Sequence, residues 1–427
     1  MTKSRTDIGL HTIFALLLAL RVGYPFWHSP LEHINNGSMP GRQWRQAGSF
    51  WDPHYMAGVD SFFYQPWLAS IRFITADNPT LIQLYTGLLC AALPLCWYGC
   101  ARQLLPVRWA LMVGIAIALT PSLWTIYAYF ASETLLLPLI GLACLFTARC
   151  YRQPHGVSFV AAGFFWGLAA FTRLVALPPG AACMLVLLWR IRWRLLPLLP
   201  VLLCWGALYM AACWHSMLAL GYSAPFGVPE LNAVLTRSDA VRIRILPDDS
   251  KHWFRSPALS QRPLEPFSDW SVGGLKPMIE VPIDTTQGKA AWDNAMQQNP
   301  PSWKHFLTRQ IPHNVMFILF GSSWPEVWPD SWNSQGFVRP WEMALNHHAR
   351  WMWAPLIVGV FIFAMRYPMP AVNRGVVLLT LGMVMMMAVQ YTAVFEGRYR
   401  KPVEPLLILS AALIGHARYG YRQGNRS

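Results

Sequence analysis

About ten apolar segments, each close to the length that crosses a lipid bilayer, constrain this chain of 427 residues more than any other feature. They cover approximately residues 8–27, 80–100, 108–128, 132–149, 157–172, 174–190, 195–214, 350–366, 374–395 and 402–417. The fifth and sixth are short and meet at Thr172-Arg173, which indicates tilted or incompletely spanning helices. The pattern predicts an all-α polytopic membrane protein with about ten transmembrane helices.

Basic residues are distributed unevenly between the connections of these segments. With a cytoplasmic N-terminus, the inside connections and termini carry 14 of the 34 Lys and Arg residues but one of the 20 Asp and Glu residues, Asp7. The rest of the chain holds 20 basic and 19 acidic residues, so nearly all of the net charge of +14 lies on one side. This asymmetry follows the positive-inside rule and predicts that both termini lie in the cytoplasm. It also removes the reason to expect nucleic acid as a partner.

The same topology places two long connections, residues 28–79 and 215–349, on the periplasmic side. We therefore expect a transmembrane module over 1–214 with 28–79 as its outer loop, a small periplasmic domain over 215–349, and C-terminal transmembrane helices over 350–427. The first apolar run lacks a cleavage site and is predicted to remain as a spanning helix. All eight Cys lie in or beside apolar segments, which argues against structural disulfides.

A charged stretch beside apolar segments, Glu396 to Pro405, is the first candidate binding site. It contains Arg398, Tyr399, Arg400 and Lys401 together with two acidic residues. Charge near the bilayer core is costly and usually has a use, and the arginine fork suits phosphate. One interpretation is a binding site for an anionic lipid headgroup. The other is an ordinary interfacial loop whose side chains extend toward water.

The first outer loop contributes candidate general bases, since a reaction that deprotonates a hydroxyl acceptor most simply uses a carboxylate. Asp60, beside the aromatic run Phe62-Phe63-Tyr64, is the preferred candidate, and Asp52 is the second. The alternative role of Asp52 is a helix N-cap before Pro53. The loop also contains the stretch Trp44-Arg45-Gln46-Ala47.

Two further charges at the same predicted face have two interpretations each. Ser132-Glu133-Thr134 begins the fourth segment, where Ser132 can cap the helix and Glu133 can favour its dipole. The functional alternative is that Glu133 orients an arginine or a substrate. Arg173, between two short segments, is either an interfacial anchor or a phosphate contact.

Other chemistries leave no signature in the sequence. His347-His348 has no further ligands at metal spacing, although dependence on a divalent metal ion stays open. No Gly-rich phosphate loop follows a predicted strand, and no Ser/His/Asp pattern stands out. An ATP-driven machine is therefore not predicted.

Four stretches resemble motifs of the GT-C glycosyltransferases, which include protein O-mannosyltransferases and aminoarabinose transferases. They are Ser132 to Leu139 followed by Arg149, Ala161 to Arg173, Arg398 to Pro402, and Trp44 to Ala47. The second is similar to a Gly-Leu-Ala-x-Leu-Thr-Arg run of the family. The order of the four, and the long connection between the seventh and eighth segments, match the family architecture over nearly the whole chain.

The resemblance implies an enzyme of the bacterial inner membrane with its active site facing the periplasm. It would carry out inverting or retaining transfer of a sugar from a polyprenyl-phosphate donor to a periplasmic protein or glycolipid. No cofactor is expected, because the donor is already activated. The family usually takes its base from an acidic residue of the first outer loop, here Asp60 or Asp52. The residues expected to hold the donor phosphate are Arg398, Arg400, Lys401 and Arg173, and the expected supporting residues are Glu133, Trp44, Arg45, Glu396 and Tyr399. Related loops often continue with Asp or Gln and then Thr, whereas this chain has Gly48-Ser49, so the identity of the base stays open.

Two other classes stay open beside the enzyme. A transporter or flippase of lipid-linked sugars needs charges inside its helices, and Arg21 is the clear example in this chain. A non-catalytic scaffold for envelope assembly has no reason to collect cations at one membrane face. Within the enzyme class, the sequence does not distinguish pentose (arabinose) transfer to a protein such as a pilin, mannose transfer to proteins, and modification of a lipid A-type glycolipid.

Overall fold

The computed structural model describes residues 5–33, 44, 62–129, 131–191, 196–220, 223, 225, 242–246, 278–282, 307–308, 311–321, 340–389 and 400–424. The helices in chain order are α1 (Arg5–Trp27), α2 (Tyr64–Thr75), α3 (Pro79–Leu104), α4 (Val107–Leu119), α5 (Glu133–Arg152), α6 (Gly156–Thr172), α7 (Leu177–Arg190), α8 (Leu198–Leu220), α9 (Ile311–Phe320), α10 (Pro340–Ala349), α11 (Trp353–Phe363), α12 (Ala371–Ala388) and α13 (Glu404–Gly424). Short 3₁₀ turns lie at Pro30–His33, Pro121–Leu123, Thr125–Ala128, Leu174–Ala176 and Arg350–Met352. Strands β1 (Arg242–Leu246) and β2 (Met278–Pro282) pair in parallel, with Arg242 opposite Met278.

The prediction of a helical membrane protein is confirmed for the described residues. Helical structure overlaps each of the ten predicted segments, and the two strands lie in the segment predicted as a periplasmic domain. Within the described ranges, five helices are long and apolar enough to cross a membrane: α1, α3, α5, α8 and α12. A sixth span results if α4 and the bent turns after it count as one, while α6 and the run Leu174–Arg190 are shorter apolar helices. The arrangement of ten spans stays a prediction.

The third predicted segment, 108–128, is not one continuous helix. Helix α4 ends at Leu119, and the turns that follow it are bent away by 80°. Thr120 has extended backbone angles because the proline at 121 disfavours the helical conformation of the residue before it. A second difference from the prediction lies in the outer loop 28–79, which contains a helix, α2. The buried side chains of α2 recur at helical spacing.

Small residues bring α6 and α8 into close contact. Gly163 and Gly167 lie one helical turn apart on α6 and face Val201 and Trp205 of α8. A Cβ at position 167 would lie 2.6 Å from Nε1 of Trp205, and this nitrogen donates a 2.8 Å hydrogen bond to the carbonyl of Gly163. This is the small-xxx-small packing that is common between membrane helices.

Arginines connect neighbouring helices at one end of the bundle, which we call the basic end. Nε of Arg108, at the start of α4, lies 2.5 Å from Oδ1 of Asp7 in α1. Arg152, at the end of α5, donates to the carbonyl of Gln103 in α3. These residues belong to the predicted cytoplasmic connections, so the structure groups them at one end as the charge asymmetry requires.

Candidate functional site

Three carboxylates lie buried at the opposite end of the bundle, which we call the carboxylate end. Glu133, Glu342 and Glu404 have exposed fractions of 2%, 0% and 0%. A buried carboxylate is costly unless it is paired or hydrogen-bonded, so each should have donors around it. The partners of the three carboxylates define the candidate site.

Glu133 binds the arginine that the sequence placed at the same face. Glu133 begins α5, and Nη1 of Arg173, the residue after α6, donates to its Oε1. The Glu133 side chain is 3% exposed and that of Arg173 is 25% exposed. Ser132 makes no capping hydrogen bond to α5, and its hydroxyl instead donates to Glu133 at 3.4 Å. The geometry therefore favours the interpretation in which Glu133 orients an arginine over capping by Ser132.

The first outer loop returns to the bundle beside this ion pair. The backbone N–H of Phe63 donates a 2.8 Å hydrogen bond to the carbonyl of Phe171, two residues before Arg173. The ring of Phe62 packs edge-on against His215 of α8, with 5.6 Å between the ring centroids. The end of this loop is thus fixed to α6 and α8 at the carboxylate end of the bundle.

Trp44 anchors the loop from its other side. Its side chain is buried, its carbonyl accepts a 3.3 Å hydrogen bond from Arg72 of α2, and the Arg72 guanidinium lies 5.6 Å from the centre of its ring. Arg72 also binds Asp77, with 2.7 Å between Nη2 and Oδ2. Trp44 and Asp77 are therefore both engaged by Arg72, and the role of Trp44 in the site stays a prediction. The other predicted loop residues lie outside the described residues: Asp52, Asp60 and Arg45.

Between α4 and α5 the chain forms an irregular stretch, Thr120–Tyr129, which we call the bend segment. Arg21 of α1 is buried beside it, and its guanidinium donates three hydrogen bonds of 2.6, 3.1 and 2.6 Å to the carbonyls of Cys90, Ala118 and Leu123. The Cys90 carbonyl has no helical partner because Pro94, four residues later, carries no N–H. Irregular backbone in a membrane protein needs such donors, since lipid supplies none.

Glu342 joins α10 to α1 and to the bend segment. Its carboxylate accepts hydrogen bonds from the hydroxyls of Tyr24 and Tyr129, the latter at 2.8 Å. Nδ1 of His28, just after α1, lies 2.6 Å from Oε1 of Glu342. Every side chain of this cluster is buried. This buried hydrogen-bonded cluster therefore fixes α10 against α1 and the bend segment.

Sequence reasoning missed Glu342 because Pro340-Trp341-Glu342 looks like an ordinary helix start. The Trp341 indole stacks against those of Trp27 and Trp124, with 5.1 and 5.9 Å between the ring centroids, and so places Glu342 beside α1 and the bend segment. Those partners are more than two hundred residues away in the chain, so no local pattern reports them.

Arg400 is buried, and its guanidinium donates to acceptors within the protein. Its three guanidinium nitrogens donate to Oε1 of Glu404 at 3.1 Å and to the carbonyls of Ile318 and Gly321 at 2.7 and 3.0 Å. The guanidinium carbon also lies 5.0 Å from the ring centre of Trp353. The other oxygen of Glu404 accepts a hydrogen bond from Ser122 in the bend segment.

These contacts favour a structural role for Arg400, which satisfies carbonyls at the C-terminal end of α9. Burial lowers the pKa of the Arg400 guanidinium, and the Glu404 carboxylate partly offsets that effect. Lys401 is also fully buried. The remaining predicted residues of this stretch lie outside the described residues: Arg398, Glu396 and Tyr399.

No group of three or more His, Cys, Asp or Glu side chains that could hold a metal ion occurs in the described part of the chain. No protein-family model matches the sequence, and no curated protein or solved structure matches it either. The chemistry of the carboxylate end is therefore interpreted from its own residues.

Proposed function

We propose that this protein is an integral-membrane glycosyltransferase of the GT-C type, which transfers a sugar from a polyprenyl-phosphate donor to a periplasmic protein or glycolipid. The observation that carries the proposal is the Glu133–Arg173 ion pair at the carboxylate end, beside the point where the first outer loop returns. Both members of the pair belong to stretches that resemble the family. The ion pair thus gives a physical reason for the two motifs to occur together.

In the proposed reaction, Arg173 stabilises the negative charge that develops on the donor phosphate as the glycosidic bond breaks. Glu133 fixes the guanidinium, so that little reorganisation is needed when the charge develops. The acceptor hydroxyl loses its proton to a loop carboxylate, and its oxygen forms the new bond to the sugar while the polyprenyl phosphate leaves. Asp60, three residues before Phe63, is the preferred base, and Asp52 is the second candidate.

The remaining phosphate contact is assigned to Arg398, because Lys401 is fully buried, as Arg400 is. Arg400 has a structural role instead, because its donors are directed at Glu404 and at the C-terminal end of α9. The proposed topology has ten spans, with the basic end in the cytoplasm and the carboxylate end in the periplasm.

A transporter of lipid-linked sugars is the second candidate. The observation that favours it is the broken helix after Leu119, since discontinuous helices with buried charges are typical of transporter sites. Against it, the Arg21 guanidinium is directed at three backbone carbonyls, which favours a structural use of that charge.

Purified protein in phospholipid vesicles, supplied with a polyprenyl-phosphate sugar and an acceptor but no ATP and no ion gradient, separates the two candidates. We expect sugar transfer by the wild type, a loss of about tenfold or more in Arg173→Gln, and normal transfer in Arg108→Gln, a matched arginine at the basic end. Movement of the lipid without transfer, or equal transfer by both variants, would contradict the proposal. Mass spectrometry of envelope proteins and glycolipids, with and without the protein, identifies the sugar and the acceptor.

A further inference from the structure

The hairpin formed by α6 and α7 is too short for an ordinary bilayer. Helix α6 has 17 residues, and the helical run that contains α7 extends from Leu174 to Arg190. At 1.5 Å per residue each reaches about 25 Å, against a hydrocarbon core of about 30 Å. Any tilt would shorten this reach. The neighbouring helices α3 and α5, with 26 and 20 residues, reach about 39 and 30 Å.

Polar residues at both ends prevent the flanking chain from extending the apolar band of the hairpin. At the basic end, the exposed residues before α6 are Arg152, Gln153, Pro154 and His155, of which Pro154 alone is not polar. At the carboxylate end the tip carries Arg173. The exposed apolar side chains of α6 and the tip extend from Val157, 70% exposed, to Leu174, 42% exposed. The hydrophobic length of the hairpin is therefore that of its helices.

We propose that the α6–α7 hairpin thins the bilayer locally, and that Arg173 binds the phosphate group of a phospholipid at the thinned surface. A short span is accommodated by local thinning, which brings the headgroups to the polar tip. The alternative of leaving Arg173 at the depth of the acyl chains is costly for a cation. Glu133 holds one nitrogen of the guanidinium, and a quarter of the Arg173 side chain is exposed.

Thinning would also deliver a lipid phosphate to the candidate site without removing the lipid from the bilayer. The thinning and the phospholipid contact stand independently of the proposed enzyme activity. Only the extension to a polyprenyl-phosphate donor rests on the proposed function.

The depth of the hairpin tip is measured with a nitroxide label at Leu174→Cys in an otherwise Cys-free full-length protein, reconstituted in phosphatidylcholine vesicles. Leu81→Cys is the matched control, because Leu81 is 46% exposed near the same end of the longer helix α3. Collisions with oxygen and with a water-soluble nickel chelate report the depth. We expect both labels at headgroup level. A label at 174 within the acyl chains, with the label at 81 at headgroup level, would overturn the thinning.

Native mass spectrometry of the protein with its natural cysteines tests the phosphate contact separately. The probes are phosphatidylglycerol and diacylglycerol, which differ in the phosphate-containing headgroup. We expect phosphatidylglycerol retention to fall about tenfold or more in Arg173→Gln and to stay unchanged in Arg108→Gln. Equal retention by Arg173→Gln and the wild type would refute the contact. Both experiments omit the sugar donor, so a failure of sugar transfer would leave their outcome unchanged.

Discussion

Arg21 replaces a helix hydrogen bond that Pro94 removes, and this compensation makes a measurable prediction. In Arg21→Met the three carbonyls that accept from the guanidinium lose their donors. Each unsatisfied buried carbonyl costs about 1–3 kcal/mol, so we expect the free energy of unfolding to fall by about 3 kcal/mol or more. The bend segment should loosen first, since the Leu123 carbonyl lies within it.

The dependence on Pro94 isolates one of the three hydrogen bonds. In Pro94→Ala the new backbone N–H can donate to the Cys90 carbonyl along α3, so this carbonyl no longer needs Arg21. Arg21→Met should then cost about 1–2 kcal/mol less in the Pro94→Ala background than in the wild type. The measurement is a double-mutant cycle of equilibrium unfolding in mixed detergent and lipid micelles.

Pro138, inside α5, provides the matched control. Pro138→Ala also restores a helix N–H, but at a carbonyl that Arg21 does not contact, so its effect should add to that of Arg21→Met. Additive effects within about 0.5 kcal/mol for the Arg21 and Pro94 pair would refute the compensation. Coupling of equal size with Pro138 would show instead that the cycle reports a general softening of the bundle.

Three further predictions follow from the same contacts. Gly87→Ala should destabilise the protein by about 1–3 kcal/mol, because a Cβ there collides with the backbone of α1. The control is Gly23→Ala in α1, which should be tolerated because its Cβ meets nothing within 4 Å. Thermal unfolding of the two variants checks this. Arg400→Ala breaks a buried ion pair and should cost about 3–5 kcal/mol in unfolding experiments, with the KM for donor unchanged in the folded fraction. Asp60→Asn should lower kcat by about 10²–10⁴-fold while donor binding survives, whereas Asp52→Asn should preserve kcat if Asp52 only caps a helix.

The positions of the apolar helices could be predicted from the sequence because a bilayer imposes length and apolarity on each spanning segment, whereas α2, α9 and α10 lie outside the ten predicted segments. The pairing of Glu133 with Arg173 was also within reach, since the predicted topology puts both at the same face. The break in the third segment was not predicted: its composition stays apolar through Leu119, and one proline at 121 decides the geometry. The choice between a bent and a broken helix then depends on donors such as Arg21, about one hundred residues earlier.

The role of Arg400 illustrates what local composition leaves undecided. The same cluster of charges suits either an exposed phosphate-binding site or a buried contact between helices. Which of the two forms depends on whether other elements supply hydrogen-bond acceptors. In this structure α9 and the residue after it, Gly321, each supply a carbonyl, α13 supplies the carboxylate of Glu404, and Trp353 supplies an aromatic face. None of these partners except Glu404 is near Arg400 in the sequence.

The bend segment is where most of these long-range contacts meet, and this bears on the choice of site. Arg21 of α1, Glu342 of α10 and Glu404 of α13 each bind a different part of it. Buried polar contacts of this kind cost stability relative to an apolar core, so a chain that holds an irregular segment with three of them should gain something from its shape. The bend segment sets the position at which α5 starts, four residues beyond Tyr129, and Glu133 binds Arg173 at that start. Loosening the bend segment, as in Arg21→Met, should therefore impair the ion pair without touching either of its residues.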